Sequence, residues 1–321
     1  MILVRIVVID GYTVNPSDNP WTPLEKLGEL VVNYRTAAES VESIGRDADV
    51  LITNKCPISA AAIDRLPKLK FIAVTATGYN IVDVAAARRR GVPVSNVPEY
   101  GTRTVAQFTW ALILELCHHV GRHAESVRDG DWTKSPDFCY WLTPQVELAG
   151  KCLGVVGYGR IARQVAEIGK AFGMRVSASG RPGSVPPKSA NVEWLSTEGL
   201  FATADVVSLH CPLSSETERM VNRQLLERMK RGAFLVNTSR GGLVNEQDLA
   251  DALRAGTIAG AAMDVVSMEP IDTNNPLLSA PNCWITPHIA WTSLAARQRL
   301  MQSTAENVAA FLAGKPINVV N

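Results

Sequence analysis

The amino-acid sequence predicts an α/β protein with two doubly wound parallel-sheet (Rossmann-like) domains, and three observations support this fold class. Short apolar runs alternate with helical patterns along the chain, as in βα units. Most of these runs are too continuously apolar for an antiparallel sheet with one wet face. A glycine-rich turn lies in the middle of the chain, and 321 residues are enough for two domains of ordinary size.

The first half of the chain contains strand and helix patterns but no glycine fingerprint. The first apolar run holds Arg5 and ends at Asp10, unlike the unbroken apolar stretch and small-residue cleavage site of a signal peptide. We therefore expect a separate, smaller α/β domain of about four strands. The predicted strands are 3–9, 50–53, 71–75 and 92–95, and the predicted helices are 60–66, 81–90 and 104–120.

The segment 122–150 is rich in aromatic residues and proline and has weak periodicity. This pattern predicts an arm or an extended connection. Its aromatic cluster, Phe138, Tyr140 and Trp141, fits either a core or an interface, and we favour an interface.

The turn in the middle of the chain, Gly-Val-Val-Gly-Tyr-Gly-Arg-Ile-Ala at 154–162, follows an apolar run and precedes a helical pattern at 161–172. Gly157 permits the tight turn, Gly159 lets the backbone approach a pyrophosphate, and Ala162 allows close helix packing. The following helix offers free N–H groups and its positive dipole end to an anion. This context favours a dinucleotide site over a plain tight turn.

The second half of the chain continues the alternation of strands and helices. Because the last helix follows the final strand, we expect it to pack back on the first domain. The predicted strands are 175–178, 206–209, 234–237, 260–264 and 284–286, and the predicted helices are 246–255 and 295–313.

Three polar side chains follow successive predicted strands: Arg240, Glu269 and His288. In open parallel sheets, ligands bind beyond the carboxyl ends of the strands. An arginine can bind a substrate carboxylate bidentately, a histidine can exchange a proton with the carbonyl oxygen, and a neighbouring carboxylate favours the imidazolium form. The set suits reduction of a 2-keto acid by a hydride-carrying cofactor. Taken singly, each residue could instead be an ordinary surface, turn or strand-end residue.

The other histidines receive different interpretations. His210 also ends a strand, and we expect it to line the cofactor trough rather than to act as the acid. His118, His119 and His123 cluster near a helix end but lack acidic or thiol partners at ligand spacing. We expect solvated or capping histidines there and no metal site.

The composition argues against nucleic-acid and membrane partners. The net charge is +1, with 46% hydrophobic and 20% charged residues, so no global field draws nucleic acid or anionic lipid. The best apolar helical stretch, 109–117, is too short to span a membrane. The six cysteines show no Cys-x-x-Cys spacing, which favours buried thiols in a reducing cytoplasm. We expect no nucleic-acid or membrane partner.

The chain resembles the D-isomer-specific 2-hydroxyacid dehydrogenases over nearly its whole length. The arm residues 131–132 and 137–141 look most like the glycerate dehydrogenase (hydroxypyruvate reductase) branch. The motifs that carry the resemblance are 153–161, 209–213, 237–242, 264–270 and 287–288.

The resemblance implies a homodimer with a split substrate domain, 1–101 plus 291–321, and a dinucleotide-binding domain, 102–290, that includes the arm. It assigns catalysis to Arg240, Glu269 and His288. The expected substrate-binding residues are Ala76, Thr77, Gly78, Arg240 and His288, and backbone N–H groups of 75–78 would hold the substrate carboxylate. Asp264 would bind the carboxamide of the cofactor. The expected cofactor-binding residues are Gly157, Gly159, Arg160, Ile161, Ser179, Gly180, Arg181, His210, Cys211, Pro212, Thr217, Thr238, Ser239, Asp264 and Ala290.

The end of the second cofactor-domain strand departs from the usual NAD pattern. Gly180 stands where NAD enzymes place Asp or Glu, and Arg181 follows. No carboxylate repels a 2′-phosphate, Arg181 can pair with it, Ser179 could add a hydrogen bond, and Lys188 lies further along the loop. Arg181 could instead stack on adenine or point to solvent. We expect NADP(H) to be preferred and NAD(H) to be possible.

These observations together predict a cytoplasmic NAD(P)H-dependent 2-hydroxyacid dehydrogenase that reduces hydroxypyruvate or glyoxylate. Another 2-keto acid is the nearest alternative substrate. A dinucleotide-sensing binding protein, like the corepressors of this family, is the alternative from another class. The presence of Arg240, Glu269 and His288 together favours the enzyme.

Overall fold

The computed structural model describes residues 4–181, 183 and 192–321. The chain forms two compact units, Met1–Gly101 with Trp291–Asn321, and Thr102–Ala290. Each unit contains one all-parallel sheet with helices beside it. This arrangement confirms the fold class predicted from the alternation of apolar runs and helical patterns.

The first unit contains a five-stranded sheet with the order β2-β1-β3-β4-β5. Its strands are β1 Arg5–Val8, β2 Glu29–Val32, β3 Val50–Thr53, β4 Phe71–Val74 and β5 Val94–Ser95. Its first helices are α1 Thr22–Glu25, α2 Val41–Gly45, α3 Ala60–Asp64 and α4 Val84–Arg89.

Burial on both faces explains the continuous apolar runs of this sheet. Val7, Leu51 and Ile72 belong to one buried cluster, while their chain neighbours Ile52 and Phe71 belong to another. Successive side chains of a strand point to opposite faces, so each strand contributes to both cores. The strands are therefore apolar throughout.

Two of the differences between the first unit and the prediction have a clear physical reason. The half-buried edge strand β2 was not predicted, because an edge strand needs no long apolar run. Helix α4 begins three residues after the predicted start at 81, because the Asp83 side chain accepts the Ala86 N–H at 2.8 Å and caps the helix.

The second unit contains a seven-stranded sheet with the order β12-β11-β10-β9-β6-β7-β8. Its strands are β6 Cys152–Val156, β7 Arg175–Ser179, β8 Glu193–Trp194, β9 Val206–Leu209, β10 Phe234–Asn237, β11 Gly260–Met263 and β12 Cys283–Ile285. Its helices are α5 Thr102–His118, α6 Val120–Arg128, α7 Asp131–Lys134, α8 Arg160–Ala171, α9 Thr197–Thr203, α10 Arg223–Leu226 and α11 Glu246–Arg254. The strand order reverses between β6 and β9, which is the switch point where open α/β sheets bind ligands.

The segment 122–150 is more regular than the sequence predicted, since α6 and α7 occupy its first part. Local hydrogen bonds tie Tyr140 into the arm: its hydroxyl lies 2.9 Å from Ser126 Oγ. Phe138 and Trp141 are 89% and 69% exposed. Of the three aromatic residues, Phe138 and Trp141 therefore face solvent, while Tyr140 is half-buried.

The chain ends with helix α12, Leu294–Leu312, in the first unit. Phe311 stacks on Phe71 of β4 with the ring centroids 4.5 Å apart. Arg297 is buried and pairs with Asp18 through two contacts of 2.5 and 2.6 Å. The expectation that the last helix packs back on the first domain is confirmed.

The cysteines partly follow the prediction of buried thiols. Cys56, Cys117, Cys152 and Cys211 are buried, whereas Cys139 is exposed, because it lies in the arm outside any strand or helix. Burial raises the pKa of the Cys117 thiol to about 11. Within 4–181, 183 and 192–321, no helix is long and apolar enough to cross a membrane. Among the same residues, no group of His, Cys, Asp and Glu could hold a metal ion.

Candidate active site

The turn after β6 has the geometry of a phosphate-binding loop. Gly157 has a φ of 84° and donates its N–H to the Ser179 carbonyl at 2.8 Å. A Cβ at this position would lie 2.8 Å from the Cys211 backbone nitrogen, so only glycine fits. Gly159 caps α8 and has open space beside it. The N-terminus of α8 is therefore accessible to an anion.

A cavity of about 1370 Å³ opens beside this turn, within the second unit. Its lining includes eight of the predicted cofactor-binding residues: Gly157, Gly159, Gly180, Arg181, His210, Cys211, Pro212 and Thr217. Its size and its position at the switch point suit a dinucleotide. The residues present therefore fit a nicotinamide dinucleotide.

Several cavity residues were not predicted. Tyr158 and Trp194 meet edge to face with centroids 6.2 Å apart, and Glu198 and Arg228 also line the cavity. Trp194 belongs to the two-residue edge strand β8, which the sequence analysis missed. No local motif marks these residues, because their place depends on how the sheet edge folds.

The side chain of Ser179 is buried, contrary to the hypothesis that it adds a hydrogen bond to a 2′-phosphate. Strand β7 runs one residue beyond the predicted end at 178, and the side chain of Ser179 faces the interior with the residue 1% exposed. Its hydroxyl is buried without a hydrogen-bond partner among the described residues. Ser179 therefore does not present its hydroxyl to a phosphate. Arg181 is exposed at the cavity, and Lys188 lies outside the described residues.

His210 lines the cavity as a neutral imidazole. Burial lowers the pKa of His210 to about 4, and its Nε2 lies 2.9 Å from Ser208 Oγ. Near neutral pH this side chain holds no extra proton. It is therefore unsuited to act as a proton donor.

Asp264 holds the loop after β12. Its Oδ1 accepts Thr286 Oγ1 at 2.6 Å and the Ile289 N–H at 2.9 Å, and its Oδ2 accepts the Ala290 N–H at 2.8 Å. Burial raises the pKa of Asp264, and these hydrogen bonds oppose the rise. Asp264 is only 1% exposed, and its carboxylate orders this loop through these hydrogen bonds. The cofactor-binding role of Asp264 and Ala290 stays a prediction.

His288 and Glu269 are brought together. His288 adopts a left-handed φ of 55°, and its N–H donates to the Asp264 carbonyl at 2.8 Å. Its Nδ1 lies 2.7 Å from Glu269 Oε2. Both side chains remain partly exposed, at 28% and 38%. With Nδ1 engaged by the carboxylate, Nε2 is the nitrogen left for proton exchange with a substrate.

Arg240 follows β10 and is exposed. Its Nη1 donates to the Ser239 carbonyl at 2.7 Å, while Asn237 Nδ2 donates to the Arg240 carbonyl at 2.9 Å. Ser239 Oγ donates to the Cys211 carbonyl at 2.7 Å, and the hydroxyls of Thr238 and Thr109 lie 2.9 Å apart. The predicted cofactor residues Thr238 and Ser239 therefore order this loop through their own side chains.

Six other predicted cofactor-binding residues do not line this cavity: Arg160, Ile161, Thr238, Ser239, Asp264 and Ala290. Arg160 and Ile161 begin α8 beside the phosphate-binding turn. The cofactor-binding roles of all six residues remain predictions.

Gly241 brings the Arg240 loop against the loop that contains Glu269. A Cβ at Gly241 would lie 1.9 Å from the Val266 carbonyl carbon. Only glycine permits so close an approach of two backbones. The segments with Arg240 and Glu269 are thus directly adjacent.

The predicted substrate loop directly follows β4 in the first unit. Ala76 is buried and accepts the Val97 N–H at 3.0 Å, and Thr77 Oγ1 donates to the Val97 carbonyl at 2.9 Å. Asn96 Nδ2 donates to the Thr77 carbonyl at 2.7 Å. Gly78 is half-buried. The loop is therefore fixed at both sides by hydrogen bonds.

Asp10 and Asn54 support this loop and were not predicted. The Asp10 carboxylate accepts the backbone N–H groups of Asn54, Lys55 and Cys56 at 2.7, 2.5 and 2.7 Å. Asn54 Nδ2 in turn donates to the Thr75 carbonyl at 2.5 Å. The only sequence signal is the placement of Asp10 and Asn54 just after strands.

A dinucleotide-binding turn, with a carboxylate–imidazole pair and an arginine after neighbouring parallel strands, is the arrangement of a dinucleotide-dependent oxidoreductase. A family profile described as D-isomer specific 2-hydroxyacid dehydrogenase, NAD binding domain, matches residues 110–290. Hydroxypyruvate reductase of Blautia hydrogenotrophica is 47% identical and covers 99% of this chain and 100% of its own length. Glycerate dehydrogenase of Methylorubrum extorquens is 42% identical over 89% of each chain.

Solved structures agree with this assignment. The TT0316 protein of Thermus thermophilus has a TM-score of 0.89 and 37% identity, covering 99% of this chain and 100% of its own. The NADPH-dependent glyoxylate/hydroxypyruvate reductase of Sinorhizobium meliloti, in complex with NADP and malonate, has a TM-score of 0.83 and 28% identity, covering 99% and 96%. The chain belongs to the family of D-isomer-specific 2-hydroxyacid dehydrogenases. It is an oxidoreductase that uses a nicotinamide dinucleotide, which confirms the resemblance seen in its motifs.

Proposed function

We propose that this enzyme reduces hydroxypyruvate or glyoxylate to the corresponding 2-hydroxyacid with NAD(P)H. The observation that carries the proposal is the 2.7 Å contact between His288 Nδ1 and Glu269 Oε2, in the same unit as the dinucleotide-binding turn. The names of relatives that are 47% and 42% identical support this choice of substrates.

The side chains divide the chemistry among them. A bound nicotinamide dinucleotide supplies the hydride; the turn at Gly157 and Gly159 and the N-terminus of α8 would hold its pyrophosphate. The Arg240 guanidinium binds the substrate carboxylate. His288 gives the proton on Nε2 to the carbonyl oxygen, and Glu269 keeps Nδ1 protonated and offsets the positive charge. The reverse reaction returns the proton to His288.

The proposal is tested by measuring the initial rates of reduction of a panel of 2-keto acids with NADH and with NADPH. We expect hydroxypyruvate and glyoxylate to give the highest kcat/KM. A higher value for a bulkier keto acid would replace the substrate assignment. Dinucleotide binding without turnover of any keto acid would favour a dinucleotide-sensing protein.

We further propose that NADPH is preferred to NADH. Gly180 places no carboxylate at the cavity, and the Arg181 guanidinium is exposed there. A charge-assisted contact with the 2′-phosphate contributes ~1.5–3 kcal/mol. The NADPH-dependent reductase of Sinorhizobium meliloti is a structural relative that supports this preference.

The combined variant Gly180→Asp/Arg181→Ser should move the ratio of kcat/KM for NADPH to that for NADH toward NADH by roughly 10–100-fold, because it introduces repulsion and removes the cation. Arg175→Ser, at the opposite end of β7, is the matched control and should leave the ratio unchanged. Wild-type preference for NADH, or an unchanged ratio in the double variant, would contradict this assignment.

We also propose a homodimer formed through the arm 122–150, and a cytoplasmic location. Phe138 and Trp141 are largely exposed, and burying apolar surface against a second copy is favourable by ~25 cal/mol per Å². All six cysteines, each among the described residues, are free thiols, which suits a reducing compartment.

Sedimentation velocity at micromolar concentration should show a dimer for the wild type. Phe138→Ser/Trp141→Ser should shift the protein toward monomer, because it removes the exposed apolar contacts of the arm. Tyr34→Ser, at an exposed aromatic residue of the first unit, should leave the dimer intact. A wild-type monomer would exclude this proposal.

A further inference from the structure

Glu246, the first residue of α11, holds both ends of the loop that contains Glu269. Its Oε1 accepts the Ser267 N–H at 2.6 Å, and its Oε2 accepts Ser267 Oγ at 2.7 Å. Its Oε2 also accepts Asn275 Nδ2 at 2.9 Å. Ser267 precedes Glu269 and Asn275 follows it, so one carboxylate joins the two ends of the loop.

The same loop contacts the proton-transfer pair, Glu269 and His288. Val266, next to Ser267, donates its N–H to Glu269 Oε1 at 3.3 Å. Glu269 Oε2 contacts His288 Nδ1 at 2.7 Å. A continuous series of hydrogen bonds therefore runs from Glu246 through the loop backbone to His288.

The position of Glu246 is itself well defined. Asn245 caps α11 by accepting the Asp248 N–H at 3.3 Å, which fixes the first turn of the helix. A carboxylate in that first turn is favoured by the helix dipole. The buried Asn275 side chain also accepts the Leu277 N–H at 3.0 Å, so the far end of the loop is equally ordered.

We propose that Glu246 is a positioning residue for catalysis: it keeps the Glu269 carboxylate within hydrogen-bonding distance of His288 Nδ1. The inference rests on the proposed function of the Glu269–His288 pair. Loss of Glu246 removes its hydrogen bonds to Ser267 and Asn275 together, so the loop that carries Glu269 is able to shift. A misplacement of about 1 Å at a reacting group costs up to roughly 100-fold in rate.

A double-mutant cycle with Glu269→Gln tests this role. Glu246→Ala should lower kcat for hydroxypyruvate reduction by roughly 10–100-fold, with the Kd for NADPH near the wild-type value. Glu246→Gln keeps the size and one acceptor oxygen, so it should lose less activity and remain folded. Added to Glu269→Gln, Glu246→Ala should cost less than about twofold, because the group it positions has already been changed.

Asp251→Asn is the matched control. Asp251 is a partly exposed carboxylate on the same helix, paired with Arg223 and Arg254, and its replacement should leave kcat unchanged. The same loss of kcat from Glu246→Ala in the wild-type and Glu269→Gln backgrounds would overturn the inference, since it would show a general structural role. So would unchanged kcat in both Glu246 variants. Near-wild-type turnover of Glu269→Gln alone would instead overturn the proposed function, and the positioning role with it.

Discussion

Replacement of His288 by alanine is expected to lower kcat for 2-keto acid reduction by roughly 10²–10⁴-fold while the Kd for the dinucleotide stays near wild type. The variant removes the imidazole whose Nδ1 lies 2.7 Å from Glu269 Oε2 and whose Nε2 is the proposed proton donor. The dinucleotide-binding turn at Gly157 is separate from this pair in the sheet, so cofactor affinity should survive. Steady-state kinetics and fluorescence titration with NADPH measure the two effects.

His118→Ala is the control for loss of a histidine from the same unit. His118 bonds Gln145 on the surface at 3.1 Å and should be dispensable for turnover. If His288→Ala retained near-normal kcat, the proton donor would lie elsewhere. His210 would be a poor substitute, because burial lowers its pKa to about 4.

Arg240→Lys is expected to raise KM for the keto acid and to lower kcat, each by roughly 10–100-fold. Lysine keeps the charge but lacks the planar fork that binds a carboxylate through two parallel hydrogen bonds. Loss of that fork also loosens the orientation of the carbonyl group. The measurement is a full substrate-concentration series at saturating NADPH.

Arg231→Lys is the matched control, since it changes an exposed arginine that precedes the same strand, β10. It should leave both constants unchanged. Wild-type KM and kcat in Arg240→Lys would mean that another group binds the carboxylate.

The sequence predicted the central strands better than the sheet edges. Strands 50–53, 206–209 and 234–237 have the predicted bounds, because burial on both faces demands a continuous apolar run. The edge strands β2 and β8 are only partly buried, and β8 has only two residues, so their sequences carry little signal. The same reasoning explains Ser179, whose side-chain direction depends on one extra residue of strand β7.

The sequence likewise indicated some residues of the candidate site and not others. Arg240, Glu269 and His288 could be selected because each follows a strand in a recognisable motif. Glu246 and Asp10 could not be selected, since their partners are backbone and side-chain groups 21 to 46 residues away. Such supporting contacts follow from how loops fold against each other, and no local pattern of residue types encodes them.

The most direct test of the central claim is the rate of NADPH or NADH oxidation by the wild-type enzyme as a function of hydroxypyruvate and glyoxylate concentration. The proposed roles of Arg240, Glu269 and His288 predict saturable turnover with kcat/KM of roughly 10⁴ M⁻¹ s⁻¹ or more for at least one of the two acids. Binding of the dinucleotide with no oxidation above the rate without protein would contradict the claim.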